Sequence, residues 1–257
     1  MKKKKILVLS DHPLSPSGVG SQTKYFIESL LKTGRYQFIC LGGAIKHENY
    51  TPQRVDPWGE DWKIFPVDGY GNHEIIRSVL QKERPDALWF MTDPRFYGWL
   101  WEIENEVRAN LPMVYYHVWD NFPSPHFNAD FYNSTDVVAC ISKVTHQILQ
   151  DVAPDVESHY LPHAVNEEYF HPSRNNEEKK QVAMLLMHTD AKDPHGQDLP
   201  HIINKLGLSD GQVLLSTVKV EPSQLANLYR MADYTINISD AEGFGLATLE
   251  SMSCGTP

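Results

Sequence analysis

Residues Lys5–Gly34 read KILVLSDHPLSPSGVGSQTKYFIESLLKTG, and three parts of this stretch decide the fold. Ile6-Leu7-Val8-Leu9 is a short, unbroken apolar run, the pattern of a strand buried on both faces of a parallel sheet. A turn carrying Gly18 and Gly20 follows. From Thr23 to Lys32 the apolar residues Phe26, Ile27, Leu30 and Leu31 recur at helical spacing, and Gly34 stands ready as a C-cap. Strand, glycine turn and helix in this order put the turn at the carboxyl edge of the sheet, where backbone N–H groups and a helix N-terminus can face an anion or a sugar hydroxyl. A tight turn that binds nothing uses the same residues. A dinucleotide site would want a third glycine where Thr23 stands and an acid roughly 20 residues on, where the chain has Leu41-Gly42-Gly43.

The alternation continues. Further strands are expected at Gln37–Leu41, Lys63–Val67, Ala87–Met91, Met113–His117, Val137–Ile141 and His159–Leu161, with helices at Glu74–Lys82, Gly98–Arg108 and Lys143–Val152. The polar stretch from His171 to Gln181 then interrupts the pattern and divides residues 1–172 from residues 173–257. Beyond it come strand Val182–His188, helix Leu199–Leu206, strand Gln212–Ser216, helix Ser223–Ala232, strand Tyr234–Ile238 and a helix from Leu246. The class is α/β.

Among 257 residues, 41% are hydrophobic and the net charge is −10, which leaves no basic face for nucleic acid. Lys2 to Lys5 is the one dense basic tract. The apolar run behind it is too short for an export signal. The tract leaves open a weak peripheral contact with a membrane. No window approaches the ~18 apolar residues of a membrane-spanning helix. Cys40, Cys140 and Cys254 are scattered and lack metal-ligand spacing, so reduced thiols in a cytoplasmic setting are expected.

Three places carry chemistry. The first is the turn with Gly18 and Gly20. The second is Val114-Tyr115-Tyr116-His117-Val118-Trp119-Asp120, where His117 ends a buried strand and Asp120 follows; His117 is a candidate at the reacting centre or a satisfied core histidine. Tyr115, Tyr116, Trp119 and Phe122 make either an acceptor platform or core. The third is Glu242-Gly243-Phe244-Gly245-Leu246-Ala247-Thr248-Leu249-Glu250. Amides from Phe244 to Leu246 at a helix start suit a diphosphate. Glu242 and Glu250, as acceptors only, suit the hydroxyls on either side of it. The plain alternative makes Glu250 a solvated helix residue and Glu242 a loop cap. His188, Asp190, Asp193 and His195 lack the recurring spacing of a metal site, and no Gly-x-x-x-x-Gly-Lys phosphate loop occurs.

The Glu-x7-Glu spacing of Glu242 and Glu250, with Ser253-Cys254-Gly255-Thr256-Pro257 behind it, resembles the retaining glycosyltransferases of family 4, the glycosyl transferases group 1 of GT-B fold. Val137 to Ser142 resembles the family's strand-plus-serine. Leu161-Pro162-His163-Ala164-Val165-Asn166 is similar to its linker, with alanine for glycine and asparagine for aspartate. The resemblance implies a GT-B-like chain: a Rossmann-like N-terminal domain on the acceptor side, 1–172, and a truncated Rossmann-like C-terminal domain, 173–257, for the nucleotide sugar. It implies transfer of a sugar from a nucleotide-diphosphate sugar to a glycan, lipid or protein acceptor with retained configuration, without metal or other cofactor. Glu242 would contact the donor sugar and Glu250 the ribose, Gly243, Phe244, Gly245 and Leu246 the donor, and His117 the reacting centre. Gly18 and Gly20 would lie near the diphosphate or acceptor, and Asp120 toward acceptor or sugar. The family's Arg and Lys for the diphosphate have no counterpart in motif context; Lys179, Lys180, Lys192 and Lys219 are the nearby cations. The few strands after Val182 suggest a fragment or a reduced homologue. A noncatalytic nucleotide-sugar or glycan-binding protein is the alternative from another class, and a nicotinamide-dependent oxidoreductase a third.

Overall fold

The computed structural model describes residues 2–119, 121–171, 184–194, 196–238 and 244–257. They form two compact units: Met1–Asn166 with Ile236–Leu249, and Glu167–Thr235 with Glu250–Pro257. The polar stretch expected to divide the chain falls largely at 172–183, outside the described residues.

The first unit alternates strands and helices: β1 (Lys4–Asp11), α1 (Gly18–Leu31), β2 (Tyr36–Gly43), β3 (Gln53–Val55), β4 (Gly59–Pro66), α2 (His73–Glu83) and β5 (Ala87–Met91). It continues through α3 (Gly98–Trp101), α4 (Glu104–Arg108), β6 (Met113–His117), α5 (Ala129–Asn133), β7 (Val137–Cys140), α6 (Lys143–Val152) and β8 (Ser158–Tyr160). The sheet order is β3-β4-β2-β1-β5-β6-β7-β8. Every pairing is parallel except the edge pair β3 with β4. Because β2 flanks β1 on one side and β5 on the other, the winding reverses between β1 and β5. A crevice at the carboxyl ends of those two strands is where such sheets take ligands.

Successive strand residues serve opposite faces, which is why the strands read as unbroken apolar runs. Leu7, Leu9, Phe90, Met113 and Tyr115 pack with Ile76, Leu100, Val107, Tyr132 and Ile148 of the helices on one face. Val8, Phe38, Trp62, Trp89 and Tyr116 pack with Ile27 and Leu31 of α1 on the other. The expected continuous helix 98–108 is instead two short helices, α3 and α4, with a 3-10 turn, Pro94–Tyr97, before them. Ile103, at φ −118°, leaves the helical region between α3 and α4.

In the second unit β9 (Leu185–His188) and β10 (Val213–Ser216) pair in parallel, with α7 (Leu199–Lys205) and α8 (Pro222–Met231) following in turn. Helix α9 (Leu246–Ser253) runs across the sequence limit between the units. The expected strand Tyr234–Ile238 is not a strand: Tyr234, Ile236 and Ile238 are exposed, and the Thr235 N–H donates to the Pro257 carbonyl at 2.7 Å. Apolar alternation makes a strand only where a neighbour supplies the ladder. No helix among the described residues is long and apolar enough to cross a membrane.

Candidate functional site

The turn after β1 is built by Ser17, the N-cap of α1. Its extended backbone lets Oγ accept from the Gly20 N–H at 2.9 Å, while the same hydroxyl donates to Asp11 Oδ2 at 2.7 Å. The Tyr70 hydroxyl donates to the other Asp11 oxygen at 2.9 Å. Burial, then the Asp11 charge, pushes the Tyr70 phenol up to about 12, so it remains a donor. Gly20 has a steric reason: a Cβ there would stand 2.6 Å from Ser15 Oγ and 2.8 Å from the His12 carbonyl. Gly18 does not share it, since its nearest contact would be an ordinary 3.4 Å to Leu246 Cδ1. Gly42, where a dinucleotide enzyme would want an acid, lets His12 approach, with a Cβ there only 2.6 Å from its Cδ2.

Across the crevice, Thr92 follows β5 at φ +121°, a strained setting for a β-branched residue. Its carbonyl accepts from the Tyr115 hydroxyl at 2.7 Å. Tyr115 is therefore core. So is Tyr116, buried with its hydroxyl on the Leu161 carbonyl, 2.8 Å away. Phe122, by contrast, is exposed, and half-buried Trp119 carries the Arg95 guanidinium 5.1 Å from its ring centre.

His117 is fully buried at the end of β6. Its Nε2 pairs with the Tyr132 hydroxyl of α5 at 2.9 Å, and Nδ1 lies 3.9 Å from Cys140 Sγ of β7. Burial lowers its pKa to about 4, leaving a neutral ring at pH 7. Ser142 forms a capping box with Thr145 at the start of α6. Asp120 lies outside the described residues.

Glu242 and Gly243 also lie outside the described residues. Phe244 is half-buried, packed on the α1-side core and 5.3 Å from the His163 ring. Gly245 turns the chain at φ +72°, a conformation that favours glycine, before Leu246 opens α9. In the second unit Glu250 Oε2 accepts from the Tyr229 hydroxyl at 3.0 Å, and burial raises its pKa against that bond. Ser251, buried, donates to the Thr256 carbonyl at 2.8 Å, and Thr256 Oγ1 donates to the Tyr229 carbonyl at 2.7 Å. The stretch after Glu250 is thus tied back to the residue that holds Glu250. Sequence reasoning passed over Tyr229; its place in the helix before the motif was the available signal.

Lys192 and Lys219 are exposed, while Lys179, Lys180 and His195 lie outside the described residues. Among the described residues no group of three or more His, Cys, Asp or Glu could hold a metal ion.

Sheet order, winding reversal and a helix-borne glycine turn define an α/β protein of GT-B-like fold, and solved structures share it. One described as "Trehalose-6-phosphate from E. coli bound with UDP-2-fluoro glucose" matches with TM-score 0.62 over 97% of this chain and 81% of that one, at 9% identity. The "OtsA apo structure" matches with TM-score 0.62 over 98% and 81%, at 10% identity. Residues 174–257 match the family Glycosyl transferases group 1, and this range contains the Glu-x7-Glu spacing. A D-inositol 3-phosphate glycosyltransferase of Arthrobacter is 36% identical over 85 residues, 33% of this chain and 19% of that protein. One of Thermobispora bispora is 41% identical over 63 residues, 23% and 13%. The matched stretch spans less than a fifth of the length of these curated relatives.

Proposed function

We propose that the chain serves in glycosyl transfer, moving a sugar from a nucleotide-diphosphate sugar to an acceptor with retained configuration, as in retaining family 4. The observation that carries this reading is Glu250: a carboxylate held by Tyr229, eight residues after Glu242, inside the stretch that matches Glycosyl transferases group 1. An ionised carboxylate only accepts hydrogen bonds, and sugar hydroxyls donate them. In this account Glu242 takes hydroxyls of the donor sugar and Glu250 those of the ribose. The amides of Gly243, Phe244, Gly245 and Leu246 serve the diphosphate, with Gly18 and Gly20 near it. His117 lies by the reacting centre as a neutral ring, and Asp120 serves the acceptor or sugar side.

Removal of the Glu250 carboxylate tests the donor half of this reading. Titration with UDP-glucose, GDP-mannose and ADP-glucose should show one of them bound by the wild type and weakened tenfold or more in Glu250→Ala. Unchanged affinity would take the motif out of the account. The second reading, a noncatalytic nucleotide-sugar or glycan binder, is favoured by the exposed Lys192 and Lys219, neither of which stands in the family's diphosphate-binding context. It predicts donor binding without transfer.

A further inference from the structure

His163 is only 8% exposed, yet neither ring nitrogen has a hydrogen-bond partner among the described residues. A neutral imidazole carries one N–H donor and one acceptor, and burying both unmet costs stability. The ring is nevertheless firmly held. It lies 5.3 Å from the Tyr116 ring on one side and 5.3 Å from Phe244 on another. The next residue is clamped by the Gln22 amide, which donates to the Ala164 carbonyl at 2.8 Å and accepts from the Ala164 N–H at 3.3 Å. An apolar ring would fill the gap between Tyr116 and Phe244 without this cost. A histidine is useful there only if something beyond the described residues meets its nitrogens, and a bound ligand is such a partner.

The neighbourhood says what that is. Gln22 and Gly18 lie one turn apart on α1, so they share a face. Gln22 holds Ala164, Gly18 meets Leu246, and Phe244 meets His163, which brings the start of α1, residues 163–164 and residues 244–246 together. Ser17 occupies the Gly20 N–H with its hydroxyl and the Ser21 N–H with its carbonyl. The Gly18 and Val19 N–H groups are left without a partner among the described residues. Two free amides at the positive end of a 14-residue helix, beside an imidazole that can donate, form a donor set with no acceptor among the described residues. Burial holds the free His163 pKa near 4, so the ring meets its ligand as a neutral hydrogen-bonding group.

We propose that His163 donates a hydrogen bond to a phosphoryl oxygen of the ligand, together with the N-terminal amides of α1. The source of that phosphate, donor diphosphate or phosphorylated acceptor, rests on the glycosyl-transfer reading; the phosphate contact itself does not.

The test is calorimetric titration of the full chain with UDP, GDP, ADP, inorganic pyrophosphate and glucose 6-phosphate, and with uridine and guanosine as phosphate-free controls. It is run on wild type, His163→Phe and His163→Gln. His163→Phe should bind the phosphate probes at least tenfold more weakly, leave nucleoside binding unchanged and keep or raise Tm; His163→Gln should fall between. Equal affinity in His163→Phe, a fall in its Tm, or no binding of any phosphate probe to the wild type would overturn the assignment. If only glucose 6-phosphate binds and His163→Phe abolishes it, the phosphate site stands and the nucleotide-donor reading falls. If nucleoside diphosphates bind equally to wild type and His163→Phe, the donor reading stands and the role of His163 falls.

Discussion

The Tyr229 hydroxyl donates to Glu250 Oε2 at 3.0 Å, and this bond works against the burial that raises the Glu250 pKa. A carboxyl whose folded pKa is raised contributes most to stability when protonated, below its unfolded pKa, and loses that contribution as pH rises through the folded value. Glu250→Gln should therefore raise Tm at pH 7, and the gain should vanish as pH is lowered through the carboxylate range. The same variant should lose about 1.5–3 kcal/mol of donor binding, tenfold or more, as a desolvated charge-assisted contact goes. Thermal melts across pH, paired with donor titration, check both halves.

The sign is opposite for His117, whose pKa is lowered to about 4 by burial. Between its unfolded value, roughly 6.5, and about 4 the unfolded chain binds more protons, so stability is full above that range and falls as the solution is acidified through it. His117→Ala should flatten this fall. It should also cost about 2–4 kcal/mol at pH 7, from the cavity and the lost partner of the Tyr132 hydroxyl. Urea melts at several pH values measure both effects. For the folded fraction, a lower transfer rate at unchanged donor affinity is expected if the ring lies by the reacting centre.

Gly18 and Gly20 should respond differently to the same methyl group. Gly20→Ala forces a carbon to 2.6 Å from Ser15 Oγ and 2.8 Å from the His12 carbonyl, and should cost about 1–3 kcal/mol of stability. Gly18→Ala meets only Leu246 Cδ1 at 3.4 Å and should leave Tm nearly unchanged. If a phosphate approaches the α1 amides, Gly18→Ala should still weaken its binding, a result that melts and titrations separate.

Ser251 links the Thr256 carbonyl and Thr235 Oγ1, at 2.8 and 2.6 Å, from a buried position on α9. Ser251→Ala should cost about 1–3 kcal/mol by leaving the buried Thr256 carbonyl without this donor and the Thr235 hydroxyl without this partner. It should also weaken donor binding, because the same stretch ties back to Tyr229 through Thr256. A stability loss without any change in donor affinity would confine Ser251 to the fold.

The parallel sheet was legible because its strands are buried on both faces. Ala87–Met91, Met113–His117 and Lys143–Val152 form at their expected bounds, each an apolar or helical pattern closed by turn residues. The edge strand Gln53–Val55 was not legible, since its polar residues pair on one side only and need no apolar pattern. Tyr234–Ile238 shows the reverse case, apolar alternation without a ladder partner. Spacing offers the glycines and carboxylates only as candidates, and Glu242 and Gly243 lie outside the described residues. What local sequence could not carry was contact across the chain: Gln22 clamps Ala164, and the hydroxyls of Tyr115 and Tyr116 turn to the Thr92 and Leu161 carbonyls, deciding for core at two of the four aromatics that sequence left open. Such contacts follow from packing, which periodicity does not encode.

The most direct test of the central claim is sugar transfer itself. The chain is incubated with UDP-glucose, GDP-mannose or ADP-glucose and a panel of glycan, lipid and sugar-phosphate acceptors, while free nucleoside diphosphate is quantified and product anomers are resolved by proton NMR. The account predicts acceptor-dependent release of nucleoside diphosphate, a product with the donor's anomeric configuration, and loss of both in Glu242→Ala. Donor bound by the wild type with no acceptor giving product above the Glu242→Ala background, or a product of inverted configuration, would contradict it.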